Sequence, residues 1–188
     1  MEQRDPRHLL VGVSNILQKL KIPYIITGGM AVLVWGRPRF TADIDIVVEL
    51  KLEDVDDLNK ALLSLGKANY IDKEMMKDAL RRKGEFNFIH GETGVKVDFW
   101  VLKKEPLESL RMKRRVIKNI LNKEVYFISP EDLILSKLQW HKETCSSRHL
   151  EDIKSVLNIS GKKLDMDYLM RQAGKLKVLD DLKKLDRD

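Results

Sequence analysis

The sequence predicts an α+β (α/β) fold, in which a mixed β-sheet is flanked by helices and followed by a C-terminal helical segment. Three observations predict it. Short β-branched runs alternate with apolar runs at helical spacing in the first two thirds of the chain. A glycine-bounded loop joins two of these runs as a β-hairpin. Beyond residue 128 the patterns are helical, so we expect a core over residues 1–128 and a helical extension over residues 129–188, packed on the core as one structural unit.

The elements before the hairpin follow from the spacing of apolar residues. Leu9, Leu10, Val13, Ile16 and Leu17 recur at helical spacing, whereas β-branched runs bounded by glycine indicate strands. The patterns predict, in order, a helix at about Arg7–Leu20, a strand Tyr24–Thr27, a helix Met30–Trp35, a strand Ile44–Leu50, a helix Leu52–Leu65 ended by Gly66, and a short helix Lys73–Lys83.

The later elements have clear boundaries. Gly91–Gly94 joins the strands Phe86–His90 and Val95–Val101 into the hairpin, and Glu124–Ile128 is expected to be the last strand. Ser129 is a good N-cap, Pro130 suits the first helical position, and Asp132 falls at the third. These residues predict a helix from Ser129 onward. A last helix is expected over Leu164–Leu185, with a charged, frayed end at Lys183–Asp188.

Two glycines and two carboxylates form the most informative motif of the chain. Gly28 and Gly29 close the first strand and open the next helix, and Asp43 and Asp45 alternate with isoleucines on the following strand. The two carboxylates therefore share one face. Like charges side by side repel, and a magnesium ion with room for substrate phosphates would remove that cost. The motif predicts a metal-dependent phosphoryl- or nucleotidyl-transfer site; a plain turn beside solvated strand-end charges is the alternative.

A third carboxylate, Asp98, lies on the return strand of the hairpin between Val97 and Phe99. Its side chain points to the opposite face from these apolar neighbours. If the hairpin extends the sheet that carries Asp43 and Asp45, three carboxylates converge at one end of it. Three acids around two magnesium ions form the arrangement for in-line displacement at phosphorus. An ordinary charge on the exposed face of a hairpin is the alternative.

The order of a strand, Gly28-Gly29, a helix, Asp43-x-Asp45 and a later Asp98 resembles the polymerase-β-type nucleotidyltransferase superfamily. It is most similar to small bacterial and archaeal members, including nucleotidyltransferases of toxin–antitoxin and abortive-infection systems. The resemblance covers residues 22–101 well and the later helices loosely. It implies a mixed-sheet nucleotidyltransferase core that moves a nucleoside monophosphate from a nucleoside triphosphate such as ATP to a hydroxyl, releasing pyrophosphate, with these three aspartates as catalytic ligands of two Mg²⁺ ions.

Further residues are candidates for binding the nucleotide. Gly28 and Gly29 let phosphates approach a helix N-terminus, where free N–H groups favour anions. Arg39 and Thr41 lie in the loop before the carboxylate pair; a surface arginine and a turn cap are the alternatives. Lys137 falls inside an apolar helical arc, where a lysine either snorkels to solvent or meets a buried anion. In the toxin-like relatives a helical lysine at a similar point lies near the nucleotide phosphates.

The sequence leaves more than one class of acceptor open. The segment Lys103–Lys118 is strongly basic, and RNA, particularly a transfer-RNA end, held by Arg111, Arg114 and Arg115 is the first choice. A solvated helix face is the alternative for this segment, and protein hydroxyls or small molecules such as aminoglycosides stay open as acceptors. Arg148 and Asp152 match an Arg and Asp often present in the relatives, or form a surface ion pair one helical turn apart.

Composition sets the remaining expectations. The chain of 188 residues is 43% hydrophobic and 34% charged, with a formal charge of +6, which is typical of a soluble globular domain. It has no long apolar run for a membrane and no apolar signal segment at its start, so we expect a cytoplasmic protein. With Cys145 as its single cysteine, it has no internal disulfide and no cysteine zinc cluster.

A different class of function is also open. The chain could be a non-catalytic nucleotide- or RNA-binding regulator, or one component of a toxin–antitoxin pair with a partner protein. The three intact carboxylates argue against a non-catalytic role, because a degenerate site would be expected to lose one of its acids.

Overall fold

Residues 5–185 are described by the computed structural model of the protein. Contacts divide this range into two compact units. The first comprises the described residues up to Met30 together with Thr41–Phe127, and the second comprises Ala31–Phe40 and the described residues from Ile128 onward. The division after residue 128 into a core and a packed extension stays a prediction.

The first unit contains a mixed sheet, as the sequence predicted. Within the described residues the sheet has seven strands in the order β3-β4-β5-β2-β1-β7-β6. The β2–β5 and β1–β7 pairs are parallel, and the other neighbours are antiparallel. The strands are β1 Tyr24–Ile26, β2 Asp43–Val48, β3 Tyr70–Ile71, β4 Glu85–Ile89, β5 Lys96–Val101, β6 Val116–Ile120 and β7 Lys123–Phe127.

Four helices that begin in the first unit lie close to their predicted positions, and a fifth, Pro106–Lys113, was not predicted. The helix α1 begins after the N-cap Asp5, whose carboxylate accepts a hydrogen bond from the Arg7 amide, and it packs against α3 and β7. The helix α4 begins after a second N-cap, Asp72, and packs against α3 and β4. The bounds are α1 Pro6–Lys19, α2 Gly28–Trp35, α3 Val55–Leu63 after a 3₁₀ turn Leu52–Asp54, α4 Lys73–Arg82 and α5 Pro106–Lys113.

Strict alternation on β2 and β5 divides apolar from polar side chains. Every second residue of both strands is buried, and the residues between them are half-buried. Phe99 stacks on Phe86 across the β4–β5 pair with ring centroids 4.9 Å apart, a contact worth about 1 kcal/mol beyond its buried area. Because a slip of one residue would turn every buried side chain to the polar face, this alternation holds the register of the two strands.

The second unit is built from helices. Its described helices besides the end of α2 are α6 Pro130–Thr144, α7 Ser147–Ser160, α8 Met166–Lys175 and α9 Leu179–Leu185, with a 3₁₀ turn Gly161–Lys163 after α7. The predicted cap of α6 is confirmed, since the Ser129 hydroxyl accepts a hydrogen bond from the Asp132 amide at 3.2 Å. The Asp132 carboxylate in turn accepts hydrogen bonds from Ser129 at 3.0 Å and from the Tyr168 hydroxyl at 2.7 Å.

One predicted element needs correction, and two stretches contain elements that were not predicted. The single helix expected over Leu164–Leu185 is broken into α8 and α9, because Lys177 adopts a positive φ of 57° between them. The short strand β3 gave no sequence signal. The basic segment contains α5 and then β6, whose tight turn to β7 uses two residues with positive φ, Leu121 at 48° and Asn122 at 61°.

Two further expectations concern the C-terminal end of the chain and membrane-spanning segments. The frayed end predicted for Lys183–Asp188 has its last three residues outside the described range. Among the described helices, none is long and apolar enough to cross a membrane.

Candidate active site

Three carboxylates meet on one face of the sheet in the first unit. In the parallel pairing of β2 with β5, Asp45 lies directly opposite Asp98, and Asp43 lies opposite Lys96. All four side chains belong to the half-buried face, while their neighbours along each strand are buried. The hairpin therefore does extend the sheet that carries Asp43 and Asp45, and the convergence expected from the sequence is present.

Lys96 is a charged group of this face that the sequence analysis missed. Its ammonium nitrogen lies 2.8 Å from Oδ2 of Asp98, and the two side chains are 41% and 14% exposed. The hydrogen bond to Asp98 is the main reason that the pKa of Lys96 is raised above its ordinary value, with burial opposing it and the charges of Asp98 and Asp43 adding to it. Its position two residues before Asp98, hence on the same strand face, was the available signal.

The Gly-Gly turn is pressed against the carboxylates and their loop. Gly28, the first residue of α2, has φ +60°, and a Cβ placed on it would overlap the Asp45 carboxylate. A Cβ on Gly29 would overlap the Thr41 hydroxyl, which itself donates a hydrogen bond to the Asp43 carbonyl at 3.3 Å. The Thr27 amide donates to the Asp45 carbonyl at 2.9 Å. The start of α2 is thus fixed beside Asp45, and only glycine fits there.

The donor chemistry of this face suits magnesium. Within residues 5–185, no three His, Cys, Asp or Glu side chains are placed to enclose a metal ion. Magnesium, however, is usually held by one or two carboxylates together with waters and substrate phosphates, not by a cage made only of protein. Asp43 and Asp45, beside a helix N-terminus that favours anions, provide that kind of half-site. The residues therefore fit a Mg²⁺ ion that is completed by phosphate oxygens.

A second charged cluster lies in the second unit, around Asp152. This carboxylate is 2% exposed. Arg39 binds it through two hydrogen bonds, Nε to Oδ1 at 2.6 Å and Nη2 to Oδ2 at 2.9 Å, and Lys137 donates to Oδ2 at 2.8 Å. Lys137 is buried, as predicted, and of the two alternatives for it the buried anion is the one observed. Its partner, Asp152, is separated from it by fifteen positions and was not foreseen.

The charge of Asp152 is stabilised by its two partners. Burial by itself would raise the pKa of this carboxyl, but the hydrogen bonds from Arg39 and Lys137 and their positive charges outweigh burial and hold the pKa below its usual range. The surface ion pair suggested for Arg148 and Asp152 is wrong, because Asp152 is buried and Arg148 instead donates to the Phe40 carbonyl at 3.2 Å.

The loop before β2 presents an aromatic ring that the sequence analysis did not single out. Phe40 is 83% exposed. Its carbonyl accepts hydrogen bonds from Arg39 at 3.0 Å and from Arg148 at 3.2 Å, and the Arg37 amide is bound by the Ser155 hydroxyl at 2.5 Å. Because these bonds hold the backbone, the exposed ring is displayed by an anchored loop.

The basic segment differs from its predicted role in one respect. Arg111 is 7% exposed and forms an ion pair with Glu108 at 2.5 Å, so it is not a surface group. Arg115 lies over the Tyr126 ring, 4.7 Å from its centroid, and donates to the Met112 carbonyl at 3.1 Å. Arg114 is half-buried. The exposed cations of this segment include Lys103, Lys104 and Lys113.

A mixed sheet with a Gly-Gly turn and carboxylates on adjacent parallel strands is the arrangement that the resemblance to nucleotidyltransferases implied. The model of one family, described as "Nucleotidyl transferase AbiEii toxin, Type IV TA system", matches residues 9–182. The chain belongs to this family. No curated protein sequence matches it significantly.

Solved structures share the fold at low sequence identity. The antibiotic-modifying enzyme ANT(2")-Ia, solved in complex with adenylyl-2"-tobramycin, is 16% identical with a TM-score of 0.61, and the match covers 91% of this chain and 96% of that one. An antigenic nucleotidyltransferase-like protein from Paracoccidioides brasiliensis is 17% identical with a TM-score of 0.58, covering 96% and 91%. The lincosamide antibiotic adenylyltransferase LnuA, lincomycin-bound, is 17% identical with a TM-score of 0.51, covering 77% and 92%.

Replacing Gly28 tests whether the turn positions Asp45. In Gly28→Ala, a side chain at φ +60° must displace the Asp45 carboxylate, so we expect nucleotidyl transfer to fall at least about 100-fold and the free energy of unfolding to drop by about 1–3 kcal/mol. Gly94→Ala is the matched control: Gly94 has φ +69° and nothing within 4 Å of the added Cβ. It should lose about 1–2 kcal/mol of stability and keep its transfer rate. Equal transfer in the two variants would contradict the positioning role.

The Asp152 cluster predicts a pH-dependent contribution to stability. Asp152→Asn should lower the free energy of unfolding at pH 7 by about 3 kcal/mol, since it leaves the buried Lys137 and the half-buried Arg39 without their anion. Because the folded-state pKa of Asp152 is lowered, its contribution is present above the unfolded-state value of about 4 and is lost as the pH falls through the folded-state pKa. Urea unfolding measured at several pH values from 7 down to 3 should therefore show that the difference in free energy of unfolding between wild type and Asp152→Asn becomes smaller as the pH falls.

The control for that comparison is Asp78→Asn. Asp78 forms surface ion pairs with Arg81 at 3.2 Å and Arg82 at 3.0 Å. Exposed pairs contribute about 0–1 kcal/mol, so this variant should change stability little. If both variants lose the same stability at pH 7, the Asp152 cluster has no special role.

Proposed function

We propose that the chain transfers a nucleoside monophosphate from a nucleoside triphosphate to a hydroxyl acceptor in a Mg²⁺-dependent reaction. One observation carries this proposal: the β2–β5 register sets Asp45 beside Asp98, with Asp43 on the same face and Gly28 against Asp45. Membership of a nucleotidyltransferase family agrees with it. The role of each of these side chains is part of the proposal.

The start of α2 is the proposed binding element for the triphosphate. Gly28 and Gly29 have no side chains to keep phosphates away from the backbone N–H groups of the first helical turn, and the helix dipole favours their negative charge. Thr41, in the loop between α2 and β2, packs against Gly29. Arg39 and Lys137 are proposed to add positive charge for the phosphates, although both also bind Asp152.

The carboxylates are proposed to hold the metals and to receive a proton. Asp43 and Asp45 would bind the Mg²⁺ of the nucleotide, and Asp98 would share a second ion. When bound, these ions would neutralise phosphate charge and lower the pKa of the acceptor hydroxyl. The hydroxyl oxygen attacks the α-phosphorus in line, the bond to the β-phosphate oxygen breaks, and pyrophosphate leaves. We propose that Asp98, whose side chain is 14% exposed, accepts the hydroxyl proton.

RNA, in particular a transfer-RNA end, is the acceptor that we propose. The chain has a net charge of +6. The segment that follows β5, the strand of Asp98, contains three exposed lysines: Lys103, Lys104 and Lys113. The exposed ring of Phe40, in the second unit, is by itself a surface on which a base of single-stranded nucleic acid can stack. A toxin of this kind would act on a cellular RNA and be opposed by an antitoxin partner.

The transfer assay described below also distinguishes other acceptors and a non-catalytic role. ANT(2")-Ia and LnuA modify antibiotics, and a small molecule is one alternative acceptor. A protein hydroxyl is another. A non-catalytic regulator would bind nucleotide or RNA without transferring the label, so transfer by the wild type distinguishes that role most directly.

Asp43→Asn and Asp45→Asn should each abolish transfer and leave the fold intact. Each substitution removes a metal ligand, and it also relieves repulsion on the carboxylate face, so the melting temperature without Mg²⁺ should hold or rise. The assay supplies each labelled nucleoside triphosphate in turn with Mg²⁺ and either total RNA or lysate protein, and follows the label. Transfer that persists in either variant would overturn the catalytic assignment.

RNA binding should weaken steeply with salt, because each neutralised phosphate releases counterions. Lys103→Ala, Lys104→Ala and Lys113→Ala combined should flatten the plot of log affinity against log salt by about two. Phe40→Ala should weaken binding by about 1–3 kcal/mol without changing that slope. Filter binding at several salt concentrations measures both effects.

The control replaces three exposed lysines of the second unit with alanine: Lys162, Lys163 and Lys175. It changes net charge equally and should leave the slope unchanged. Absence of RNA binding by the wild type at low salt would exclude an RNA acceptor and favour a protein or small-molecule hydroxyl. Equal flattening by both triple variants would show a general charge effect instead of a binding surface.

A further inference from the structure

Lys96 places a positive charge on the carboxylate face itself. It lies opposite Asp43 in the β2–β5 pairing, and its ammonium is 2.8 Å from Oδ2 of Asp98. The Lys96 side chain is 41% exposed, so it can also extend to solvent without breaking any packing in the core. The ammonium thus occupies the position of a counter-ion among groups that would otherwise present three negative charges.

The fold holds these charges together whether or not a metal is present. Neighbouring strands are about 4.8 Å apart, so the paired residues Asp45 and Asp98 cannot separate while the ladder is intact. The ladder cannot slip, because the alternate residues, such as Ile46 and Phe99, are buried. Like charges fixed at this spacing destabilise the folded state unless a cation compensates them. Lys96, whose ammonium is 2.8 Å from Asp98, supplies such a cation at Asp98.

We propose that Lys96 is an internal counter-ion of the metal site, stabilising the carboxylate face of the metal-free protein and competing with divalent cations for Asp98. The inference rests on the proposed function of this face. It follows from the 2.8 Å contact between the Lys96 ammonium and the Asp98 carboxylate. It makes Lys96 a positioning residue, since it acts through Asp98.

This competition couples metal loading to the nucleotide. A free Mg²⁺ ion must displace the ammonium from Asp98, whereas a triphosphate adds oxygen ligands and negative charge of its own. The displaced ammonium then has phosphate oxygens as alternative partners. The site should therefore bind Mg²⁺ weakly when empty of nucleotide and more tightly when the triphosphate is present.

The test uses Mg²⁺ titrations of thermal stability without nucleotide, at constant ionic strength. Lys96→Met should melt at a lower temperature than the wild type in the absence of metal. Its Mg²⁺ midpoint should fall about fivefold, because the competing cation is gone. Lys96→Arg keeps the charge and should retain a midpoint near that of the wild type.

Lys77→Met is the matched control. Lys77 is 37% exposed and pairs with Glu74 at 2.7 Å on α4, a surface pair of similar length and lysine exposure. It should leave the Mg²⁺ midpoint unchanged, which separates competition at Asp98 from a general loss of positive charge.

Equal midpoints for wild type and Lys96→Met, a weaker Mg²⁺ response in Lys96→Met, or no response of that variant to Mg²⁺ would each overturn the inference. The weaker response would assign Lys96 a supporting role in ligand binding. The proposed function is judged separately by transfer in Asp43→Asn and Asp45→Asn. Loss of transfer in those variants together with equal midpoints would remove only the Lys96 inference, and persistent transfer would remove the proposed function.

Discussion

The parallel pairing of β2 with β5 is the constraint on which the candidate site depends. Apolar side chains on one face of both strands fix the register, and that register sets Asp45 beside Asp98 on the other face. Burial of the apolar face therefore stabilises a register that brings two like charges together on the opposite face. Gly28 fits against Asp45 only because it has no side chain, so the turn that opens α2 depends on the same register.

Charge compensation follows a common pattern in both units. In the first unit Lys96 pairs with Asp98 on a face that also carries Asp43 and Asp45, and carboxylate oxygens are ligands that Mg²⁺ prefers. In the second unit the buried Asp152 binds both Arg39 and Lys137.

Local patterns predicted most of the fold and the acidic part of the site. Alternation marked β2 and β5, and the Ser129 cap marked the start of α6, because these signals lie within a few residues. The partner of Lys137 was not predictable in this way, since Asp152 reaches it from another helix. The burial of Arg111 and the strand β6 were missed for a related reason: a run of basic residues indicates charge but not which side chains the tertiary structure covers.

Anomalous diffraction from crystals grown with Mn²⁺ and a non-hydrolysable nucleoside triphosphate would test the central claim most directly. In these crystals we expect manganese bound by Asp43 and Asp45, and phosphates against Gly28 and Gly29. The Lys96 ammonium should have moved away from Asp98. Manganese and phosphates located away from the β2–β5 face, with the Lys96–Asp98 ion pair intact, would contradict that claim.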